Sequence, residues 1–216
     1  MLCLIPLLWL VVQLPTATTP AAGPATPLAA AQAFKRALEQ SDLAALSELT
    51  AGPLATPLRS LGGPLAKARA AADRLETALK EKPALALINP FAPSLQPFAG
   101  VRFEILEVVK ERDQQLVRVR HAARAMPIRE EELLLTADGA NWRLQLPATL
   151  RQQVQELIGH PERLQREMEA LEAIAAILNR LAEEIEKNRV QTKADAVARL
   201  LQLMHESKLS DLYEKP

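Results

Sequence analysis

Three histidines, His121, His160 and His205, and one run of carboxylates, Glu130, Glu131 and Glu132, are the residues of this 216-residue chain whose types suit acid–base chemistry. Histidine changes charge near neutral pH, and a carboxylate drawn out of water is pushed up toward the same range. His121 with Glu130 or Glu132 is therefore the candidate acid–base set. Both have a structural alternative. A lone inward histidine serves as a hydrogen-bonded core residue, and a strand carboxylate pairs with an arginine on the neighbouring strand, here Arg118, Arg120 or Arg124. No two histidines stand at His-x-x-x-His or Glu-x-x-His spacing, so no metal site is expected. No serine sits in a Gly-x-Ser-x-Gly elbow, and Gly62-Gly63 lacks the rest of a phosphate-binding fingerprint. No cofactor is expected.

Composition narrows the classes further. Lys plus Arg equals Asp plus Glu at 26 each, with no basic block, so nucleic acid is not an expected partner. Aromatics are only 3% of the chain, which argues against platforms that stack bases or sugars. Apolar residues reach 49%, mostly Ala and Leu, enough to bury a core. An apolar run from Leu2 to Leu14 is followed by small residues and prolines. It is shorter than the roughly 20 residues of a membrane span and suits the core of a secretory leader. Residues 1–22 are read as that leader, and the protein as exported, periplasmic or secreted. The alternative, a buried N-terminal helix, is opposed by Pro6. Cys3, the single cysteine, would leave with the leader, so disulfides, thiol nucleophiles and Cys-ligated zinc are not expected in the mature chain.

The elements that would position these residues can be read from periodicity. Thr26-Pro27 is a helix start, and Phe34 and Leu38 share one face. Ser41 is the expected cap of a second helix that Gly52-Pro53 ends. A third helix is expected from about Pro64, with Leu65, Ala68, Ala72, Leu75 and Leu79 as its stripe and Pro83 as its end. Residues 83–100 hold four prolines yet are too apolar for a solvated loop, so they should pack against something. From Val101 the period becomes two: Val101, Phe103 and Ile105 alternate with Arg102 and Glu104. Val117, Val119, His121, Ala123 and Ala125 then alternate with Arg118, Arg120 and Arg124. A strand over 128–136, an Asp138-Gly139 turn, and a last strand with Trp142, Leu144 and Leu146 on one face complete an antiparallel meander of about four strands.

Residues 23–147 are thus expected to form an α+β domain, and 148–216 a helical extension. In that extension Leu164, Met168, Leu171, Leu178 and Ile185 recur at heptad-like spacing, widened by Ile174, Ile177 and Leu181. Thr192 caps a final helix carrying Val197, Leu200, Leu201 and Met204, giving an αα-hairpin turned near residues 188–191. The apolar stripe could fold back on the domain, or it could be an interaction face for a second copy or another protein.

Helices followed by a meander reading RFEILEVVKERDQQLVRVRHAARAMPIREEELLLTADGANWRLQLP is an order that resembles the NTF2-like superfamily. More narrowly it looks like the exported NTF2-like domains of unknown function in bacterial envelopes. The closest echoes are EELLLTADGANWRLQLP and the opening helices ALEQSDLAALSELT. The resemblance implies a curved sheet wrapping helices into a cone, with a cavity for which Phe91, Phe98, Val119 and Trp142 are the candidate lining. It implies an exported, non-enzymatic binding or assembly module, with a small apolar ligand or a homodimer as partner. The alternative it allows is a small-molecule lyase or isomerase working in the cavity. Catalytic members such as the ketosteroid isomerases pair a carboxylate base with a tyrosine; the only tyrosine here is Tyr213, near the C-terminus, so that pairing does not carry over.

Overall fold

The computed structural model describes residues 24–85, 87–111, 114–122 and 128–209. The expected leader, Cys3, Ala123, Arg124, Ala125 and Tyr213 lie outside these residues. The chain runs α1 (Pro27–Glu39), α2 (Leu43–Leu49), α3 (Ala55–Lys80), β1 (Arg102–Glu111), β2 (Gln114–Ala122), β3 (Arg129–Asp138), β4 (Asn141–Leu144), α4 (Ala148–Gly159), α5 (Pro161–Glu186) and α6 (Lys193–Glu206). It is an α+β fold whose four strands form one antiparallel sheet in the order β1-β2-β3-β4.

Local chemistry explains most boundaries. Thr26 Oγ1 accepts from the Ala29 amide at the start of α1, and Pro27 fills the first turn. The cap of α2 is Asp42, whose Oδ1 accepts from Ala45 N at 3.0 Å, and not the expected Ser41. Ser41 sits at φ +48° in the left-handed turn between α1 and α2, and its hydroxyl accepts from the Phe98 amide instead. Thr192 does cap α6, in a reciprocal capping box with Asp195.

Helix α3 is the largest departure from the expected boundaries. It starts at Ala55 rather than near Pro64, so Pro64 lies inside a 26-residue helix. An interior proline costs about 3 kcal/mol through a lost hydrogen bond and a clash. Tertiary burial offsets that cost, because Leu58 on one side of the break and Leu65 on the other are both core residues. The neighbouring Gly62 marks a close crossing with α2. A Cβ there would lie 3.0 Å from the Ala44 backbone nitrogen, so a larger residue would need the α2 backbone to give by a few tenths of an ångström.

The sheet presents Phe103, Val117, Val119, Leu133, Leu135 and Leu144 to the core. Phe34 of α1 meets Phe103 of β1 with ring centroids 5.5 Å apart, close enough for a tilted aromatic contact. An extra residue in β1 between Ile105 and Glu107 shifts the register and bends that strand. The β4 edge is covered: Trp142 N donates to Pro24 O, and Ala51 N to Leu144 O beside the Thr50–Leu144 bridge. Trp142 itself is half-buried, while Leu144 and Leu146 carry the packed face of this segment.

The C-terminal helices do not form a core of their own. One continuous cluster of buried apolar residues extends from Ala30 to Leu209, so no break in the core marks residue 147. The most extensive helix–helix contact joins α3 to α5. Leu171, Ile174, Leu178, Leu181 and Ile185 of α5 are buried, as are Ala68, Ala71, Leu75 and Ala78 of α3. Lys67 reaches Glu172, Arg74 makes two bonds to Glu186, and Lys82 donates to the Ile185 carbonyl. The two helices therefore run the same way and end together. Cations at that shared end offset the partial negative charge of two aligned C-termini. Helix α6 joins through Arg199, whose guanidinium makes two 2.7 Å bonds to Glu184. No helix among the described residues is long and apolar enough to cross a membrane.

Candidate functional site

Strand alternation decides where the candidate acid–base residues go. In the β2–β3 register Arg118 stands opposite Glu132 and Arg120 opposite Glu130, both on the outer face. Across β1, Glu107 and Glu104 stand opposite the same two arginines. The result is two Glu–Arg–Glu rungs spanning three strands. Arg120 bonds Glu130 at 2.8 Å and Glu104 at 3.2 Å, and Arg118 bonds Glu132 at 2.8 Å and also Glu107. The hydrogen bonds to Glu132 and to Glu130 raise the pKa of Arg118 and of Arg120 respectively. Glu130 and Glu132 are thus exposed partners of arginines, on the opposite face of the sheet from His121.

The carboxylate that meets His121 is Glu131, between them. Its neighbour across the ladder is Val119, so it points inward. His121, 3% exposed, has Nε2 3.1 Å from Glu131 Oε2. The same oxygen accepts from the Ala148 amide at 3.0 Å, and Oε1 accepts from Arg151 at 3.3 Å. Helix α4 follows Pro147, which offers no capping side chain. Glu131 supplies that function from the sheet, where a carboxylate satisfies a free amide and the positive end of the helix dipole. His121 and Arg151 complete its hydrogen bonding, and Arg151 also donates to Leu146 O. The pair binds the sheet to the C-terminal helices. Among the described residues no group of three or more metal-ligating side chains comes together. His160 lies near Glu162 at the surface, and His205 sits in the last turn of α6.

The four residues expected to line a cone cavity are placed otherwise. Phe91 and Val119 are buried in the core, and Phe98 and Trp142 pack half-buried against it. None of them lines the cleft between α3 and residues 87–99. Of the expected interaction face, Leu171, Leu178 and Ile185 are buried within the chain itself, whereas Leu164 and Met168 remain half-buried.

A cleft of about 680 Å³ lies between α3 and the proline-rich segment 87–99. Leu75, Leu79, Leu87 and Leu95 give it an apolar lining, and Glu39, Asp73, Glu76 and Arg69 give it charge. Arg69 fastens the two walls. Its Nε donates to Leu95 O at 2.8 Å and its Nη1 to Gln40 O at 2.9 Å. Its Nη2 is buried with no hydrogen-bond partner. Burial lowers the pKa of Arg69, opposed by Asp42 and Asp73, but neither carboxylate forms an ion pair with it among the described residues. Sequence reading passed over Arg69, although it sits four residues after Leu65 and three before Ala72, inside the apolar stripe of α3. The demand that segment 83–100 pack against something was the other sign of this site.

Compared with protein-family models, with curated proteins and with solved structures, the chain matches none.

Proposed function

We propose that the protein is an exported binding module of NTF2-like architecture, a binder rather than an enzyme, that takes a small apolar or amphipathic ligand in the cleft between α3 and residues 87–99. The observation that carries this reading is the cleft itself: about 680 Å³, with leucines on both walls and charge near them. Small-molecule sites span about 300–1,000 Å³ and combine an apolar lining with a few placed polar groups. The NTF2-like reading is supported by helices preceding a four-stranded antiparallel meander and by the bend in β1. In this reading the inside of the cone is filled by Phe34, Phe103 and Val119, and the binding site has moved outside it. Export is supported by the apolar run Leu2–Leu14 and the small residues after it. An αα-hairpin of α5 and α6 then serves as a buttress, since Leu171, Leu178 and Ile185 are used within the chain.

The lyase or isomerase alternative needs an acid–base pair open to substrate. His121 and Glu131 are instead engaged in the core with the start of α4. Native mass spectrometry on protein purified from its own host tests the binding reading. A bound molecule of a few hundred daltons, lost when Ala72→Trp fills the cleft, is expected. A bare chain found only as a dimer or with a second protein would move the function to another surface.

A further inference from the structure

Resting on the cleft as the binding site, we infer that residues 87–99 are a lid on it, held off α3 by Arg69 in this structure and poised to swing down about Gly100 over a bound ligand. The segment is built to move as one body. Much of its backbone is satisfied within itself: Ala92 N donates to Asn89 O, Leu95 N to Phe91 O, Gln96 N to Pro93 O and Ala99 N to Gln96 O. Phe91 N donates to the Asn89 side chain at 2.9 Å. Pro90, Pro93 and Pro97 fix φ in between, so these successive turns keep their shape without a ladder to the sheet.

Its attachments to the helices are slight. Phe91 and Leu95 are buried, whereas Pro93, Ser94, Gln96 and Pro97 are exposed. Two hydrogen bonds join it to the helical layer, Arg69 Nε to Leu95 O at 2.8 Å and Phe98 N to Ser41 Oγ at 3.3 Å. There is also room to move. Leu87, Ala92 and Leu95 border the 680 Å³ cleft, and Pro93 and Pro97 border a second hollow of about 480 Å³ that reaches Leu43, Leu61 and Leu171. A close-packed segment could not shift without a clash, but this one stands beside two hollows. Gly100 supplies the hinge: between the lid and β1 it sits at φ +83°, a conformation glycine adopts without strain. At the other end Leu85 is buried and confines the movement to the residues after it.

Arg69 sets the standoff. Its Nη1 is fastened to Gln40 O at 2.9 Å, so the bond from Nε to Leu95 O works as a strut of fixed length. Ala72 and Leu79 on α3, and Leu87 on the segment, are left only partly buried around the gap. Burying that apolar surface favours closure once a ligand, or the loss of the strut, lets the walls meet.

Site-directed labels test this in the full chain carrying Cys3→Ser, which leaves no native thiol. The uncharged probe N-phenyl-1-naphthylamine stands in for the ligand. Double electron–electron resonance between nitroxides at Ser94→Cys and Ala176→Cys reads the lid against α5. Saturating probe is expected to shift that distance, and Arg69→Met to reach the same shifted position without probe. In a separate variant, Ala72→Cys should react several-fold more slowly with N-ethylmaleimide once Arg69→Met is added, because the lowered lid covers it. Probe that binds and leaves the distance where it was would overturn the lid while keeping the cleft as the site. Probe that fails to bind, or binds equally after Ala72→Trp, would overturn the cleft reading and the lid with it. In the Arg69→Met protein, an unshifted distance or a thiol of unchanged or faster reaction would overturn Arg69 as the strut.

Discussion

Helix α3 has two apolar flanks made of the same residue types, and they end differently. Toward α5, Ala68, Ala71, Leu75 and Ala78 belong to a sealed helix–helix core, rimmed by Lys67–Glu172 and Arg74–Glu186. Toward residues 87–99, Ala72 and Leu79 stay only partly buried and line an open cleft. The difference lies in the partner rather than in α3. A second helix offers regular ridges that interdigitate with small and branched side chains. A segment with Pro90, Pro93 and Pro97 has no such period and carries carbonyls that need donors. Arg69 supplies one to Leu95, and the walls are held apart by a polar tie instead of being closed by packing.

The largest expected effect is on the sealed flank. Leu178→Ala should cost about 2–5 kcal/mol, as for other fully buried leucines. Trp142 fluorescence and far-UV circular dichroism should shift together, because α5 and the sheet share one core. Separate transitions for the two probes would break the comparison by making the C-terminal helices an independent unit.

On the open flank, Arg69→Met should cost about 1–3 kcal/mol by leaving the Leu95 and Gln40 carbonyls without this donor. Amide exchange should quicken within residues 87–99 and at the end of α1, and the α3–α5 interface should keep its protection. Protection lost equally on both flanks would show that Arg69 holds more than the loop.

Acid sharpens the contrast on the sealed side. The Arg199 hydrogen bond holds the pKa of Glu184 below the ordinary carboxylate value, and Arg74 does the same for Glu186. A carboxylate whose pKa is lower folded than unfolded contributes stability above its unfolded pKa and loses it as pH falls through the folded value. The α5–α6 contact should therefore weaken below the ordinary carboxylate range and not in neutral solution. Carboxylate shifts followed by NMR should place Glu184 below an exposed glutamate, and Arg199→Gln should shrink the difference, leaving the smaller effect of Arg180 and Arg189. A Glu184 titration at the ordinary value in the unsubstituted protein would contradict this.

The smallest effect belongs to the rim. Arg74→Gln breaks an exposed pair with Glu186 and should leave the melting temperature nearly unchanged at physiological salt. A large drop would mean that the rim, and not the Leu/Ala packing, seals the α5 side.

Much of this architecture was legible in the chain, and particular residues show why. Thr26-Pro27 and Thr192 start their helices because a capping hydroxyl acts within three residues. The four strands follow from two-residue alternation, and Asp138-Gly139 from the positive φ that glycine accepts. Alternation likewise puts His121 with Val117 and Val119 on the buried face. Alternation also separates Glu131 from Glu130 and Glu132, but that Glu131 meets His121, in place of the expected Glu130 or Glu132, came only from the β2–β3 register. The beginning of α3 was not legible, since a proline inside a helix is opposed by every local rule and permitted only by burial on both sides of it. Nor was the tie from Glu131 to Ala148, which joins residues distant in sequence.

The sequence by itself determined the order of helices and strands, the apolar face of most of them, and that residues 83–100 need a partner, because periodicity, capping and alternation act over a few residues. Only the tertiary structure decided that α5 covers α3, that Phe34, Phe103 and Val119 are buried between helices and sheet, and that Arg69 ties α3 to Leu95 beside a cleft. Those outcomes depend on which apolar faces find each other and how well their shapes interdigitate, and neither is encoded in any short window of the chain.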